Sequence, residues 1–545
     1  SSGGFLADVV IGGDLDLGTQ QQFFFRNCDI RGGIECPVGW NYVFMGVKGL
    51  DATLCSMGTP GKVTEISETP RIAEKPYLVM EDPRDEYSWK VYVPPILDAA
   101  DEGDPLIGAA AVSEASQPSS TLDLATEVFV AKPGMSAADI NDGIVGKRGM
   151  LVTPAVYMLD EPIIIDDDDF VVLGIGFPTL VSPSGDSALK ITPTSSRVRV
   201  AGLLLEAGTT GTPGTREQQS ATAPPPLLAW GEPGAIGGAV GGVLSDVFAR
   251  VGAFKYLACK AKSVGTMVEL NTEGLILDNA WLWHADHDDC FNKSDEAYSK
   301  HGLVVNGARV TSYGLSVEHI VGGDMVYWNN QQGESYFFQC ELPYREPAFG
   351  VSGFSAYSVA PIVISHLAEG IGVYIIGKMQ VKSAYLGSPK AKILNLITVV
   401  IGGDTDQFDN LACFRSANGQ EDCVRPDSCE GLRCVSRQVS GAMGGAALSP
   451  VPDFSQSLVE TSAPVARARR PLRAAPGAWK SFGGIAAAAF ILAAIAASVA
   501  FARPGGFPRV RPSRQGVLMG LTGVEPVAAE GGRSGVWMRV LDQSE

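Results

Sequence analysis

The chain has 545 residues, enough for two or more domains and a large core. Its formal net charge is −18, and residues 1–466 alone contain 31 basic and 56 acidic residues, a net of −25. A body this acidic argues against nucleic acid as a partner, because binding to phosphates requires clustered lysine and arginine. An uncharged ligand such as a neutral glycan fits better.

The sequence pattern of the first part of the chain predicts strands of a solenoid, followed by a connector. The chain begins at Ser1 without a methionine, and we interpret it as a fragment or an incomplete gene product. Residues 1–33 contain short apolar runs and predict the end of a first, truncated β-helix. Residues 34–126 break this pattern and predict a connector. Within it, Tyr77–Glu81 and Ser88–Val93 flank a turn-forming segment and predict a β-hairpin.

Residues 127–412 predict a parallel β-helix. Ser136 and Asp139 have the spacing of a capping box, which predicts a helical cap over 136–146. Short runs rich in Val, Ile and Leu follow, bounded by Gly, Pro or Asp. A doubly wound α/β fold needs long helices between its strands, whereas a solenoid needs none. Because no such helical pattern is present, we predict an all-β parallel β-helix.

The C-terminal part predicts a disulfide-rich segment, a linker and a membrane anchor. Residues 413–435 hold four of the ten cysteines without the C-x-x-C pairs typical of zinc sites, which favours disulfides and an oxidising compartment. Residues 436–480 read as a linker. Phe482–Ala502 is uncharged and long enough to span a bilayer, which predicts a transmembrane helix over 481–503 with the main domain outside or in a lumen. We expect the tail, 504–545, to be disordered.

The stretch from Leu275 to Tyr344 is the candidate site. Several of its strand-like runs end on an ionisable residue, among them Glu318 and Glu341. These two acids are 23 residues apart, which is about one coil of a parallel β-helix. They are therefore expected at equivalent points of neighbouring coils, on strands about 4.8 Å apart. Two carboxyl groups at this range among aromatic residues indicate a site that cleaves a glycosidic bond.

A metal site is the alternative interpretation of the segment 284–289, which interleaves two histidines with acids. One loop rarely provides the convergent geometry that a metal needs. We therefore expect His284, Asp286 and His287 to hydrogen-bond sugar hydroxyls, and we predict no metal and no cofactor.

Several motifs resemble those of a known family. They are FVAKPGMSAADIN at 129–141, DNAWLWHADH at 278–287, GLSVEH at 314–319 and QCELPY at 339–344. With these motifs, roughly residues 1–410 resemble the pectate-lyase-like superfamily, and within it the tandem β-helix exo-β-1,3-glucanases of glycoside hydrolase family 55. The resemblance implies that the all-β fold is a right-handed parallel β-helix. The resemblance implies two β-helices side by side and inversion of the anomeric centre. It also implies that Glu341, in QCELPY, is the catalytic acid.

On this resemblance we predict a membrane-anchored, extracellular inverting hydrolase of β-1,3-glucan. Glu341 and Glu318 are the predicted catalytic residues. The predicted substrate-binding residues are Trp283, His284, Asp286, His287, His319, Trp328, Asn329, Gln339 and Tyr344. Two alternatives remain open: an inactive glycan-binding or adhesive ectodomain, and a polysaccharide lyase, which would need a basic cleft that this acidic body does not favour.

Overall fold

The computed structural model describes residues 3–439, except 19, 37–38, 52–54, 56–62, 86, 99–119, 184, 209–224, 235–239, 253–261, 286–296, 345–347, 404–406, 427 and 431–432. The predicted linker beyond residue 439, the predicted membrane segment 481–503 and the tail lie outside the described residues. Within the described ranges, no helix is both long and apolar enough to cross a membrane.

The N-terminal part of the chain forms a small parallel sheet. Its strands are β1 (Gly3–Ala7), β2 (Val10–Ile11), β3 (Leu15–Asp16), β4 (Gln22–Arg26), β5 (Asp29–Ile30), β6 (Ile34–Glu35), β7 (Asn41–Met45) and β8 (Val63–Ile66). The main sheet has the order β1-β4-β7-β8, while β2 pairs with β5 and β3 with β6. Phe5 is in register with Phe24, and Phe24 with Val43, a repeat of 19 residues. The coils thus continue to β8, so the boundary predicted after residue 33 is too early.

A connector follows the N-terminal sheet. It contains β9 (Arg71–Ala73), β10 (Tyr77–Met80), β11 (Trp89–Val93), β12 (Ile96–Asp98) and β13 (Ser120–Asp123). Strands β10 and β11 pair antiparallel where the sequence predicts a hairpin, and β13 joins their sheet. Strand β12 returns to pair with β9. The connector is therefore folded against itself.

Helix α1 (Ala137–Ile144) covers the start of the larger solenoid. Ser136 accepts a hydrogen bond from the backbone of Asp139, whose side chain accepts from the backbone of Ser136, so the predicted capping box is present. Ala137, Ile140 and Ile144 are buried on the inner face of the helix. This face closes one end of the core.

The larger solenoid consists of two sheets wound around one apolar core. The first sheet contains β14 (Val128–Ala131), β15 (Gly149–Val152), β16 (Val156–Met158), β18 (Val171–Gly174), β19 (Thr179–Val181), β21 (Arg199–Glu206), β23 (Val243–Val251), β25 (Ile276–His284), β27 (Val310–Glu318), β29 (Gln332–Glu341), β31 (Ser365–Ile376), β33 (Ala391–Ile401), β36 (Ser428–Glu430) and β37 (Arg433–Val439). The second contains β17 (Ile163–Ile165), β20 (Leu189–Ile191), β22 (Leu228–Trp230), β24 (Lys262–Leu270), β26 (Ala297–Val305), β28 (Val326–Trp328), β30 (Tyr357–Val359), β32 (Val381–Gly387), β34 (Phe408–Arg415) and β35 (Glu421–Val424). Helix α2 (Ala348–Val351) lies between β29 and β30.

Strands pair in parallel up to β33 in the first sheet and β34 in the second, and the chain alternates between the two sheets from β20 to β34. Their inward side chains form one continuous core of buried aliphatic and aromatic residues. The predicted all-β, parallel-strand solenoid is confirmed.

Each long strand of the first sheet bends at one residue in the left-handed backbone region. The bends fall at Gly202, Asp246, Asn279, Gly314, Phe337, Gly370 and Asn395, with φ between 48° and 71°. Each bend divides a strand into two segments whose outward side chains face different surroundings. In β25, for example, Ile276 packs against the N-terminal sheet, whereas Trp281 and Trp283 are only partly buried.

The N-terminal sheet packs on the larger solenoid along this column of bends, which we call the seam. Phe24 stacks on Phe337 with ring centroids 5.5 Å apart. A Cβ added to Gly314, which has φ +61°, would lie 2.6 Å from the Phe5 ring, so glycine permits the close approach. Asn41 donates a hydrogen bond to the carbonyl of Gly370 at 3.1 Å. The two bodies are therefore joined by apolar and polar contacts.

The cysteine-rich segment closes the far end of the solenoid with antiparallel strands. β35 pairs with β34, and a disulfide joins Cys413 to Cys423 across them. β37 pairs antiparallel with the last long strand, β33, and covers its exposed edge. Cys429 and Cys434 are register partners between β36 and β37. The Cys413–Cys423 bond confirms that this segment contains a disulfide. A second disulfide, which was not predicted, joins Cys36 to Cys55 in the N-terminal part.

Candidate active site

One row of outward-facing residues crosses the first sheet and contains both predicted acids. The register aligns Trp283 with Glu318, Glu318 with Glu341, and Glu341 with Tyr374. The residues that precede them on the strands, such as Val317 and Cys340, are fully buried in the core. Because side chains alternate along a strand, the row must face outward. The spacing of 23 residues thus places the two acids on neighbouring coils, as predicted.

Glu318 is almost completely buried, with 8% of its surface exposed. Trp281 Nε1 donates a hydrogen bond to Glu318 Oε2 at 3.0 Å, and the Ser316 hydroxyl lies 3.3 Å from Oε1. Burial raises the pKa of Glu318, and the nearby Glu341 raises it further, whereas His319 and hydrogen bonds from Trp281 and Gln339 act to lower it. The carboxyl group is thus held by Trp281 from the side of β25 and by Gln339 from the side of β29.

Glu341 is more accessible than Glu318, since 20% of its side chain is exposed. His319 Nε2 lies 3.3 Å from Glu341 Oε1. The His319 backbone N–H donates to the Glu341 carbonyl at 2.8 Å, and its ring packs on Tyr344 with centroids 4.6 Å apart. The two acids therefore differ in burial and in hydrogen-bond partners, which is how one site assigns different roles to two carboxyl groups.

A wall of aromatic rings runs from the acids across the neighbouring coils. Trp283 stacks on Trp281 with centroids 5.2 Å apart, and Phe248 meets Trp281 edge-on at 6.1 Å. Phe177 stacks on Phe248 at 5.0 Å. Aromatic faces of this kind are suited to packing against the apolar faces of pyranose rings.

The opposite side of the site includes a residue from the N-terminal sheet. The Trp40 ring, just before β7, lies 5.8 Å from that of Tyr374, which shares the row with Glu341. The predicted catalytic and substrate-binding residues did not include Trp40, Trp281, Ser316 or Tyr374. The alternation in WLWH at 281–284 and in GLSVEH at 314–319 places Trp281 and Ser316 on the same face as Trp283 and Glu318. No local signal relates Trp40 to Tyr374.

The structure brings together six of the eleven predicted site residues. Trp283, Glu318, His319, Gln339, Glu341 and Tyr344 come together around the row. His284 is buried at the end of β25, with Nδ1 2.8 Å from the carbonyl oxygen of His319, so it supports the His319 turn. Asp286 and His287 lie outside the described residues.

The prediction that Trp328 binds substrate is wrong. Its side chain is fully buried in the core, next to His366 at 4.8 Å between ring centroids. Asn329 also lies elsewhere, in the turn after β28 of the second sheet. There its Nδ2 is 3.3 Å from Asn306 Oδ1, and Asn306 in turn donates to Asn271 at 2.8 Å, which forms an asparagine ladder. This ladder connects successive turns of the solenoid.

Among the described residues, the group that could hold a metal is Cys413, Glu421 and Cys423. Both cysteines are in a disulfide there, so their sulfur atoms cannot act as thiolate ligands. The histidines of the candidate site instead contact a carboxylate, a tyrosine ring and a backbone carbonyl.

Comparison with known proteins identifies a protein family and several similar proteins. Residues 128–341 match the LAM55 pectate lyase-like domain. An exo-beta-1,3-glucanase of Streptomyces sp. (strain SirexAA-E / ActE) is 33% identical over 386 residues, which is 69% of this chain and 57% of that relative. The chain thus spans little more than half the length of this relative.

The solved structure of sacteLam55A from Streptomyces sp. SirexAA-E is similar, with a TM-score of 0.63 and 26% identity over 80% of this chain and 73% of that one. A variant of sacteLam55A in complex with glucose has a TM-score of 0.62 and 25% identity, with the same coverage.

Proposed function

Because residues 128–341 form a LAM55 pectate lyase-like domain in a β-helix chain that resembles the glycoside hydrolase family 55 exo-β-1,3-glucanases, we propose that this protein hydrolyses β-1,3-glucan with inversion. The observation that carries the proposal is the pairing of Glu318 and Glu341 on adjacent outward strands beside an aromatic wall. The name of the relative supplies the substrate class.

In the proposed reaction Glu341 acts as general acid. It transfers its proton to the glycosidic oxygen as the bond to the anomeric carbon breaks, so the leaving sugar departs as a neutral alcohol. Its partial exposure, with His319 and Tyr344 on one side, leaves it accessible to the substrate. A group that reaches solvent in the free protein is also able to regain its proton after each turnover.

Glu318 acts as general base in this proposal. It accepts a proton from a water molecule whose oxygen bonds to the anomeric carbon on the face opposite the leaving group. Inverting enzymes need about 6.5–9.5 Å between the two carboxyl groups to hold this water. Neighbouring strands are only about 4.8 Å apart. The mechanism therefore requires the two side chains to diverge from their strands. The hydrogen bond from Trp281 holds Glu318 on the β25 side, while Gln339 contacts it from β29, the strand of Glu341.

The test is hydrolysis of laminarin, followed by the reducing sugar released and by NMR of the product. We expect glucose as the product, released at early times as the α-anomer, because inversion of a β-linkage gives α-glucose. Pectin and alginate serve as controls for a lyase and should not be cleaved. If laminarin is bound but not cleaved, the alternative of an inactive glycan-binding protein is favoured.

Two further parts of the proposal concern organisation and location. The N-terminal parallel sheet packs beside the larger solenoid and contributes Trp40 to the site, which supports assigning it to the end of a first β-helix in a tandem pair. We also propose that 482–502 anchors the chain in a membrane with the β-helix outside. The uncharged run between arginine-containing flanks supports the anchor, and the two disulfides support an oxidising compartment.

The membrane proposal predicts a difference between the full chain and one that ends near Val465. In phase separation with a nonionic detergent, the full chain should enter the detergent phase and the shortened chain should stay in the aqueous phase. A full chain with Ile491→Arg and Leu492→Arg is the matched control, because two charges in the run oppose insertion. Recovery of the unmodified full chain from the aqueous phase would contradict membrane anchoring.

A further inference from the structure

The row that contains the two acids continues beyond Trp283 onto the preceding coils. The register aligns Arg250 of β23 with Trp283, and Glu206 of β21 with Arg250. Ala249 and Val251, which flank Arg250 on its strand, are buried in the core. Because side chains alternate along a strand, Arg250 faces outward, on the same side of the sheet as the acids.

Arg250 is held in place by a buried carboxylate. Its Nε donates a hydrogen bond to Glu206 Oε2 at 2.5 Å. The Glu206 side chain is fully buried, whereas 24% of the Arg250 side chain is exposed. The carboxylate therefore orients the guanidinium group, while part of the arginine side chain remains accessible from outside the solenoid.

The fold itself does not require this ion pair. A buried ion pair adds little net stability, because the cost of removing both charges from water offsets most of their attraction. One coil earlier, the residue in register with Glu206 is Val181, so the same row also accommodates an apolar side chain. A charged pair at this position is therefore better explained by a ligand than by stability.

The aromatic wall crosses the same coils as the row. Phe248 lies two residues before Arg250 on β23, on the same face of the strand, and meets Trp281 edge-on at 6.1 Å. Strand β23 thus offers an aromatic ring and a guanidinium group side by side. This combination suits a sugar, because the apolar face of a pyranose packs on aromatic rings and its hydroxyl groups accept hydrogen bonds.

The charge and the position of Arg250 define which part of a ligand it contacts. Glu206 neutralises its charge, which favours a neutral sugar over an anion. A guanidinium group carries five N–H donors, so Arg250 can contact a hydroxyl group while its Nε holds Glu206. Three strand spacings, about 14 Å, separate the strand of Arg250 from that of Glu341. Arg250 is therefore remote from the bond that Glu341 protonates in the proposed reaction.

We propose that Arg250 is a specificity-determining residue that binds a glucan ring remote from the cleaved bond, and that Glu206 is its positioning residue. This inference rests on the proposed hydrolysis of β-1,3-glucan. A disaccharide places one ring on each side of the cleaved bond and does not extend to Arg250, whereas a longer oligosaccharide along the row does. Contact with Arg250 therefore makes the protein select long glucan chains over short ones.

The test compares laminaribiose with laminarihexaose as substrates of the full chain. The variant is Arg250→Gln with Glu206→Gln, which removes both charges and so leaves no unpaired carboxylate in the interior. Its kcat/KM for laminarihexaose should fall about tenfold through a higher KM, the effect of losing one hydrogen bond to a charged group. Its kcat/KM for laminaribiose should not change. Arg197→Gln with Asp169→Asn is the matched control, since this arginine–carboxylate pair also joins neighbouring coils but lies before the strands and outside the row.

Two kinetic outcomes would overturn the proposal. Equal losses on the two substrates would show that the pair only supports the fold of the site, and an unchanged kcat/KM for laminarihexaose would show that Arg250 does not contact the chain. Calorimetry with laminarihexaose separates this inference from the proposed function. If the unmodified protein hydrolyses neither substrate, the proposed function fails. An affinity about tenfold weaker in the variant then still supports the contact with Arg250, whereas an equal affinity, or none in either protein, excludes it.

Discussion

Replacing Glu341 by glutamine is expected to lower laminarin turnover by about 10²–10⁴-fold, the usual contribution of a general acid. Glutamine keeps the shape of the side chain and can still contact His319, but it has no proton to transfer to the glycosidic oxygen. Substrate affinity should change little, because the aromatic wall of Trp281 and Trp283 is untouched. The measurement is the initial rate of reducing-sugar release at saturating and limiting laminarin.

The leaving group provides the sharper form of this test. In a dinitrophenyl β-glucoside the leaving group is dinitrophenolate, a stable anion that needs little protonation. Hydrolysis of this substrate should therefore fall much less in Glu341→Gln than that of laminarin. Glu334→Gln is the matched control, because Glu334 is on the same strand but before the bend, where it accepts a hydrogen bond from Tyr336 at 3.2 Å. Equal losses on both substrates would show that Glu341 acts in folding or binding and not as the acid.

Replacing Glu318 by alanine is expected to lower turnover by at least about 10²-fold, because the attacking water loses its base. Sodium azide attacks without giving up a proton, so it should restore part of the lost rate and yield the α-glucosyl azide. Azide should not rescue Glu341→Gln, which lacks the acid. Ser316→Ala is a milder control that removes one contact of the Glu318 carboxyl group and leaves the base in place. A Glu318→Ala rate near that of the unmodified protein would exclude Glu318 as the base.

The pH dependence of kcat/KM gives a second check on Glu318. The base must be ionised to accept a proton, so activity falls as the pH decreases through the pKa of its carboxyl group. Burial raises that pKa above the ordinary 4.5, and the acidic limb of the profile should therefore lie above pH 4.5. Glu318→Ala should lose this limb in the azide-rescued reaction. An acidic limb below pH 4.5 would contradict the assignment.

The sequence alone was sufficient to predict the solenoid, the capping helix, the hairpin and the pairing of Glu318 with Glu341. All of these depend on sequence patterns within one coil or less, or on the repeat from one coil to the next. A repeat of about one coil places residues 23 positions apart at equivalent points, whatever the rest of the chain does. The capping box at Ser136 and the alternation in β10 and β11 are likewise properties of a few consecutive residues.

Which face a residue occupies is a different question, and the tertiary structure decided it. Trp283 and Trp328 both lie at the ends of apolar strands, yet one faces outward and the other is in the core. Alternation defines two faces but does not say which is inside, and a shift of one residue exchanges them. The prediction for Trp328 was wrong for this reason.

The contacts across the seam also could not be predicted from the sequence. Arg26 pairs with Asp278, a separation of 252 residues, and Trp40 meets Tyr374 although no nearby motif relates them. These contacts exist because two bodies, each with its own repeat, pack along the bends of the first sheet. The sequence therefore determined each solenoid and the row of acids on the larger one. Only the packing of one body on the other placed Trp40 beside the candidate active site and paired the buried charges of Arg26 and Asp278. These contacts arise between residues that no local period connects.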